Sequence, residues 1–352
     1  MSKRLNISSF WMCSATLMIG ALLPGDHLSA QTDSITLVAG RPVRGTVESY
    51  TPDNIVIQTS DGEKNIAPAN VRLIRFDGSN DLVRAKSAYT DGRYAACKEG
   101  LDNISDVPDR DVIKQEIDYY RAAAAAQLAL QGGKVSLDQA ARDVDGFLKA
   151  HPNSYHFYPA LAMFGDLAMA MGRFDAASTQ YEKTAACDWP KLSLDGKLNM
   201  GKAKLYSGEY GPAIQAFQET EASNNGEDYA VQSKLIAQCL RAQALALQGK
   251  TEEGRALVNK IIENESSKNI ELFAHANNAL GVCFVEEGKT KEAIRAFLKT
   301  DLLFTLDPDC HAQALYQLVG LWDKNERPDR AARARQKLTE RYRNTYWASK
   351  LK

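Results

Sequence analysis

The residues best able to do chemistry in this 352-residue chain are few and scattered. Ala244 to Thr251, ending Gly249-Lys250-Thr251, satisfies a relaxed phosphate-loop pattern, in which backbone amides at a helix N-terminus would cradle phosphate. Such a loop follows a strand, whereas the residues before this one continue an alanine-rich helical stretch. Gly172-Arg173-Phe174, Gly208-Glu209-Tyr210 and Gly288-Lys289-Thr290 fill the same slot elsewhere, so a repeated turn is expected there instead of a nucleotide site. His151, His156, His275 and His311 show no His-Glu-x-x-His spacing, and no Gly-x-Ser-x-Gly elbow presents a nucleophile. Asp307, Asp309, Cys310 and His311 are close enough to suggest a metal. Asp307-Pro308-Asp309 ahead of an apolar run is, however, first a helix N-cap. No catalytic residue, metal or cofactor is expected.

Composition narrows the classes further. Forty-three Lys and Arg against 44 Asp and Glu leave a net charge of -1, and hydrophobic residues make up 44%. That balance excludes a mostly disordered chain, a collagen-like fibre and a small disulfide-stapled scaffold. It also argues against a nucleic-acid partner. At the start, Lys3 and Arg4 precede an apolar run from Phe10 to Leu23, broken by Pro24 and Gly25. Fourteen residues are too few to span a bilayer, and the order is that of a secretory signal peptide over 1–30, cut after Ala30. Export to the periplasm or cell envelope of a bacterium is therefore expected. Cys97, Cys187, Cys239, Cys283 and Cys310 remain after that cut, none in a Cys-x-x-Cys pair. They are expected to act as small apolar residues between helices.

Two textures follow. Over residues 31–79, Ile35, Leu37, Val43 to Val47 and Ile55-Val56-Ile57 alternate with polar positions, and Ser60-Asp61-Gly62 has the composition of a tight hairpin turn. With Ile66, the Pro68-Ala69-Asn70 turn and Val71 to Phe76, about five strands are expected, enough for one bent sheet closed as a small barrel. Over 80–352 alanine dominates and helical spacing replaces alternation. There, Gly165, Gly172, Phe174, Ala177, Tyr181 and Thr184 recur as Gly201, Gly208, Tyr210, Ala213, Phe217 and Thr220. They recur again as Gly281, Gly288, Thr290, Ala293, Phe297 and Thr300. Six positions at identical spacing in three copies define one repeated helix pair. The first Gly and the Ala are expected where two helices approach closely, and the middle Gly where the first helix ends. The aromatic should fill the space beneath the pair.

This pattern resembles the tetratricopeptide repeat, whose Leu-Gly step is occupied by Phe164-Gly165, Met200-Gly201 and Leu280-Gly281. Turn signals at Gly92, Gly132-Gly133, Gly249 and near Glu326 extend it to about seven units of about 39 residues, longer than the family's usual ~34. Gly254 stands where the pattern has Ala. The first region resembles the Sm-like or SH3-like small barrels that precede repeat domains in some bacterial envelope proteins. Phe147 to Ser154 and Leu338 to Tyr346 look like the Tyr-Pro-x-Ser phrase of envelope tetratricopeptide proteins. The resemblance implies a mainly α fold: a solenoid of about seven helix pairs behind a small β-barrel.

The final 29 residues hold ten Lys and Arg against three Asp and Glu. Ala331, Ala334, Leu338 and Tyr342 form an apolar stripe there, as a terminal capping helix requires. The function expected is an exported, non-enzymatic scaffold that binds a peptide or partner protein on the concave solenoid face. The alternative is an envelope adaptor that meets anionic lipid or an acidic partner through the basic C-terminal helix, in peripheral membrane contact. An enzyme with its active site in the groove ranks third. By repeat register, Lys202, Tyr206, Gln243, His275 and Asn278 are the candidate partner-binding residues, expected to face inward and exposed.

Overall fold

A computed structural model describes residues 32–105, 109–223 and 227–351. The expected signal segment, 1–30, lies outside the described residues. Five strands come first: β1 (Asp33–Leu37), β2 (Val43–Tyr50), β3 (Ile55–Thr59), β4 (Gly62–Ile66) and β5 (Val71–Arg75). They form one antiparallel sheet in the order β4-β3-β2-β1-β5. Alternation sets its faces, so Ile35, Val47, Ile55, Ile57 and Ile74 all point into one core. The expected hairpin joins β3 to β4, with Thr59 opposite Gly62.

The barrel does not close: among the described residues no ladder joins β4 to β5. A 3-10 turn over Pro68–Asn70 separates those strands, and helices cover the apolar face in place of strand closure. Ile35, Ile57 and Ile74 share a core with Leu82, Ala85, Ile113 and Ile117, which belong to the first helices.

Fifteen helices follow among the described residues, fourteen of them in seven consecutive pairs. The pairs are α1 (Asn80–Thr90) with α2 (Tyr94–Asp102), α3 (Asp111–Leu130) with α4 (Leu137–Ala150), and α5 (Phe157–Ala170) with α6 (Phe174–Ala185). Next come α7 (Pro190–Ser207) with α8 (Tyr210–Glu221), and α9 (Asp228–Leu247) with α10 (Thr251–Asn264). Last are α11 (Ile270–Glu286) with α12 (Thr290–Leu303), α13 (Pro308–Lys324) with α14 (Pro328–Arg341), and the short α15 (Tyr346–Ser349). Within every pair the turn contains one residue of positive φ, from Gly92 to Gly288 and finally Glu326 at 57°. That backbone state favours glycine and explains the spacing of the turn signals. Gly249-Lys250-Thr251 is one of these turns: it follows a helix, not a strand.

The repeated glycine has a sharper reason than helix approach alone. A Cβ on Gly165, Gly201 or Gly281 would stand 2.6 Å from the ring of Tyr181, Phe217 or Phe297 respectively. The glycine leaves the room that the aromatic sixteen residues later fills. Those three rings are among the largest fully buried side chains. Gly254, the departure from Ala, lies where a Cβ would be 2.6 Å from the Ala242 carbonyl oxygen. The five cysteines are all buried and unpaired, packing as small apolar residues do. In α14 the stripe of Ala331, Ala334 and Leu338 is buried, while Arg333, Arg335 and Arg341 are exposed. Among the described residues no helix is long and apolar enough to cross a membrane.

Two buried polar groups tie the sheet to the helices. Asp33 accepts bonds from both terminal nitrogens of Arg110, at 2.9 and 2.6 Å, and from the Val47 amide at 2.8 Å. Glu116 on α3 receives the Tyr50 hydroxyl of β2, and lies 2.7 Å from the Lys86 ammonium and 3.1 Å from His156. His156 also stacks on Tyr119, ring centres 3.6 Å apart. Burial opposes ionisation of Glu116, but Lys86 and His156 outweigh it and hold its pKa down at about 2.

Candidate functional site

The first helices of successive pairs face one another across an inner space. Gln127 of α3, Asp166 of α5, Tyr181 of α6, and Asn199, Lys202 and Tyr206 of α7 line a cavity of about 390 Å³ there. The start of α13 and the chain's own C-terminal residues, Asn344 to Tyr346, complete the wall. The volume falls within the range of small-ligand and peptide side-chain pockets.

The C-terminal segment reaches this space by crossing the solenoid. The Asn344 amide donates to the Ala129 carbonyl at 2.8 Å, and Arg343 donates to the Gly132 carbonyl. Tyr346 packs edge-on to Phe174 at 4.8 Å and stacks against Tyr206 at 5.8 Å. The last turn of chain thus touches the second, third and fourth helix pairs.

Asp309, in the first turn of α13, organises the cavity floor. It takes the Lys202 ammonium at 2.6 Å, the Tyr206 hydroxyl at 2.8 Å and the Trp347 indole N–H at 3.0 Å. Burial works against the Lys202 charge, yet Asp309 and Asp307 outweigh it and hold that pKa above its ordinary value. Asp307 caps α13, accepting from the Cys310 amide at 2.8 Å as its sequence context requires, and lies 3.4 Å from His275 Nε2. His275 Nδ1 in turn meets the Cys310 thiol at 3.2 Å.

All five residues chosen by repeat register converge on the start of α13, but only two of them reach the cavity. Lys202 and Tyr206 line it. Gln243, His275 and Asn278 are buried, which corrects the expectation that they are exposed. They are covered by α13: Asn278 donates to the Cys310 carbonyl at 2.8 Å and to Gln313 at 2.9 Å, and Gln313 donates to Gln243 at 2.8 Å. These bonds meet part of the cost of burying polar side chains, while Gln243 Nε2 and Asn278 Oδ1 have no partner among the described residues. Sequence reasoning missed Asp166, although its signal was available. The register that selects Lys202, one residue after the repeat glycine Gly201, selects Asp166 after Gly165 in the preceding copy.

Asp166 differs from its neighbours. Its side chain is open to the cavity, and the one hydrogen bond it receives among the described residues is from the Tyr181 hydroxyl, at 2.6 Å. The surrounding protein raises its pKa to about 6, against the pull of Tyr181 and Lys202.

The Cys310–His275–Asp307 chain has the residue types of a nucleophilic triad. Burial and the neighbouring Asp307 carboxylate push the Cys310 thiol well up, so it stays protonated and sealed from the cavity. The same three residues place donor atoms within 4.8 Å of one another. His275, however, already has one ring nitrogen facing Cys310 and the other facing Asp307. His311 stands apart from them, bonded to Tyr342 at 2.7 Å and Asp301 at 2.8 Å.

Solved structures with this architecture are helical-repeat proteins. A tetratricopeptide repeat protein from Parabacteroides merdae aligns with 78% of this chain and 96% of its own, at 15% identity and a TM-score of 0.55. The fold is a tetratricopeptide-type solenoid. A Rap protein in complex with Competence and Sporulation Factor aligns over 77% of each chain, at 12% identity and a TM-score of 0.53. NprR in complex with its cognate peptide NprX aligns over 80% of this chain and 84% of its own, at 14% identity and a TM-score of 0.52. No family model matches the solenoid's sequence, and no curated protein matches it.

Proposed function

We propose that this chain is an exported, non-enzymatic scaffold that takes a peptide or an extended partner segment on the inner face of its solenoid. The observation that carries this reading is the open cavity among α3, α5, α7 and the start of α13, in which charged and polar side chains are set among apolar ones. Two solved proteins of similar fold were determined with Competence and Sporulation Factor and with the peptide NprX, which supports a peptide-sized ligand here. Export rests on the basic, apolar, breaker order of residues 1–30. Crosslinking in intact cells, followed by mass spectrometry of captured peptides, tests the reading. Crosslinks from Lys202 and Tyr206 positions to one partner support it. Crosslinks confined to the outer helices α4, α8 and α12 would refute it.

A second reading has its own observation. The exposed Arg333, Arg335 and Arg341 give α14 a basic outer face while its apolar stripe is spent on the solenoid. Contact with anionic lipid or an acidic partner follows from charge alone. Sedimentation with anionic vesicles at low and high salt tests it, and binding unchanged by Gln at all three positions would rule it out.

A further inference from the structure

We propose that Asp166 is the counter-charge for a cationic organic group, an ammonium or guanidinium, which a bound peptide inserts into the cavity. This rests on the peptide-binding reading above and specifies what the peptide must carry.

Charge on the cavity wall is unmatched. Three carboxylates line the cavity, Asp166, Asp307 and Asp309, against the single ammonium of Lys202. Lys202 is held by Asp309, whose oxygens also take Tyr206 and Trp347. Asp307 has the Cys310 amide on one oxygen and His275 beside the other. Asp166 has Tyr181 on one oxygen and no ion pair among the described residues. An anion would meet a negative wall, and Ca²⁺ takes six to eight oxygen ligands, several of them usually carboxylates, where one carboxylate oxygen is free. An ammonium or guanidinium needs fewer fixed ligands: one carboxylate and a few neutral acceptors. Gln127, Asn199 and Asn344, whose side chains carry amide carbonyls, line the same cavity.

The charge state agrees with the geometry. The groups facing Asp166 are Tyr89 from α1, Tyr181 from α6, Asp195 and Lys202 from α7, and Asp307 and Asp309 from the start of α13. Lys202 is the lone cation in that set. A pKa raised to about 6 means that the ionised Asp166 is under-compensated, and a bound cation would restore the balance. The affinity should therefore be full above that pH and fall away below it.

The test uses the full-length protein and its Asp166→Asn variant, in which the amide carbonyl can still accept from Tyr181. Each is screened at pH 7.5 and pH 5 against a positional-scanning heptapeptide library, with free and acetylated N-termini, and against spermidine as a non-peptide amine. The expected result is enrichment of Lys or Arg at one position, or of the free N-terminus, with binding at least tenfold weaker at pH 5 and in Asp166→Asn. The variant should lose the pH step. Melting curves confirm that it is folded. Spermidine binding that depends on Asp166, without peptide binding, would overturn the peptide source. Peptides retained with no basic preference, or equally by Asp166→Asn, would overturn the cation site and leave the scaffold standing. Retention of no peptide and no amine would overturn both.

Discussion

Glu116 and Asp166 are both acidic side chains on solenoid helices, Glu116 buried at the junction and Asp166 exposed on the cavity wall, and the surrounding protein penalises the charge of each. Their fates diverge. At the sheet–helix junction Glu116 has Lys86 at 2.7 Å, His156 at 3.1 Å and the Tyr50 hydroxyl, and its pKa falls to about 2. In the cavity Asp166 has a tyrosine hydroxyl and a lysine already spoken for by Asp309, and its pKa rises to about 6. The first carboxylate is complete within the chain and holds two architectures together. The second has no ion pair among the described residues, and in the proposal above a bound cation supplies it.

The comparison fails most visibly if Glu116 proves dispensable. Glu116→Gln should leave Lys86 buried without its counter-charge and cost about 3–5 kcal/mol, read by denaturant titration. The pH response should carry the same signature. Glu116 stabilises the fold above its ordinary pKa of 4.5, and that contribution is lost as pH falls toward about 2. Burial lowers the pKa of His156 below 6.5 despite Glu116, so the unfolded chain takes that proton first and stability drops as pH falls through 6.5. Asp166 has the opposite sign: below about 6 the folded chain binds a proton that the unfolded chain binds only near 3.8, a gain on acidification.

The helix pairs should answer to volume where the junction answers to charge. Gly201→Ala sets a methyl group 2.6 Å from the Phe217 ring, and forcing that ring aside should cost about 1–3 kcal/mol. Unchanged melting would show that the glycine–aromatic pairing is not what holds the pair. Asp166→Asn should cost nothing and raise the melting temperature slightly at pH 7.5, because it removes an under-compensated charge. A clear loss of stability would place Asp166 with Glu116 as a structural group. The smallest change is expected from Gln at Arg333, Arg335 and Arg341 together, below about 0.5 kcal/mol, since exposed charges contribute little.

What the sequence disclosed and what it hid follow from contact range. The glycine and its aromatic are sixteen residues apart, so their pairing repeats in the sequence and could be read there. Turn glycines were legible for the same reason, because positive φ is a local requirement. The sheet's strands were legible too, but its failure to close was not, since that depends on Ile113 and Ile117 arriving from α3. Gln243, His275 and Asn278 were placed on the correct helices. Their burial depends on α13, the first helix of the pair that follows α11, and no local spacing shows which side chains it covers. The contacts of Arg343 and Asn344 with Gly132 and Ala129 span more than two hundred residues and arise from the accumulated twist of every pair between them. Asp166 was hidden differently: a lone acid beside a repeat glycine gains meaning only when its neighbours are seen to be paired and it is not.

The most direct test of the central claim is a carbon-detected titration of the Asp166 carboxyl in labelled protein, with Asp166→Asn to assign the signal. An unpaired acid at the cavity wall should titrate near pH 6 in the free protein, and shift down when a Lys- or Arg-bearing peptide binds. A midpoint near the ordinary 3.8, unmoved by any cationic peptide, would contradict the account.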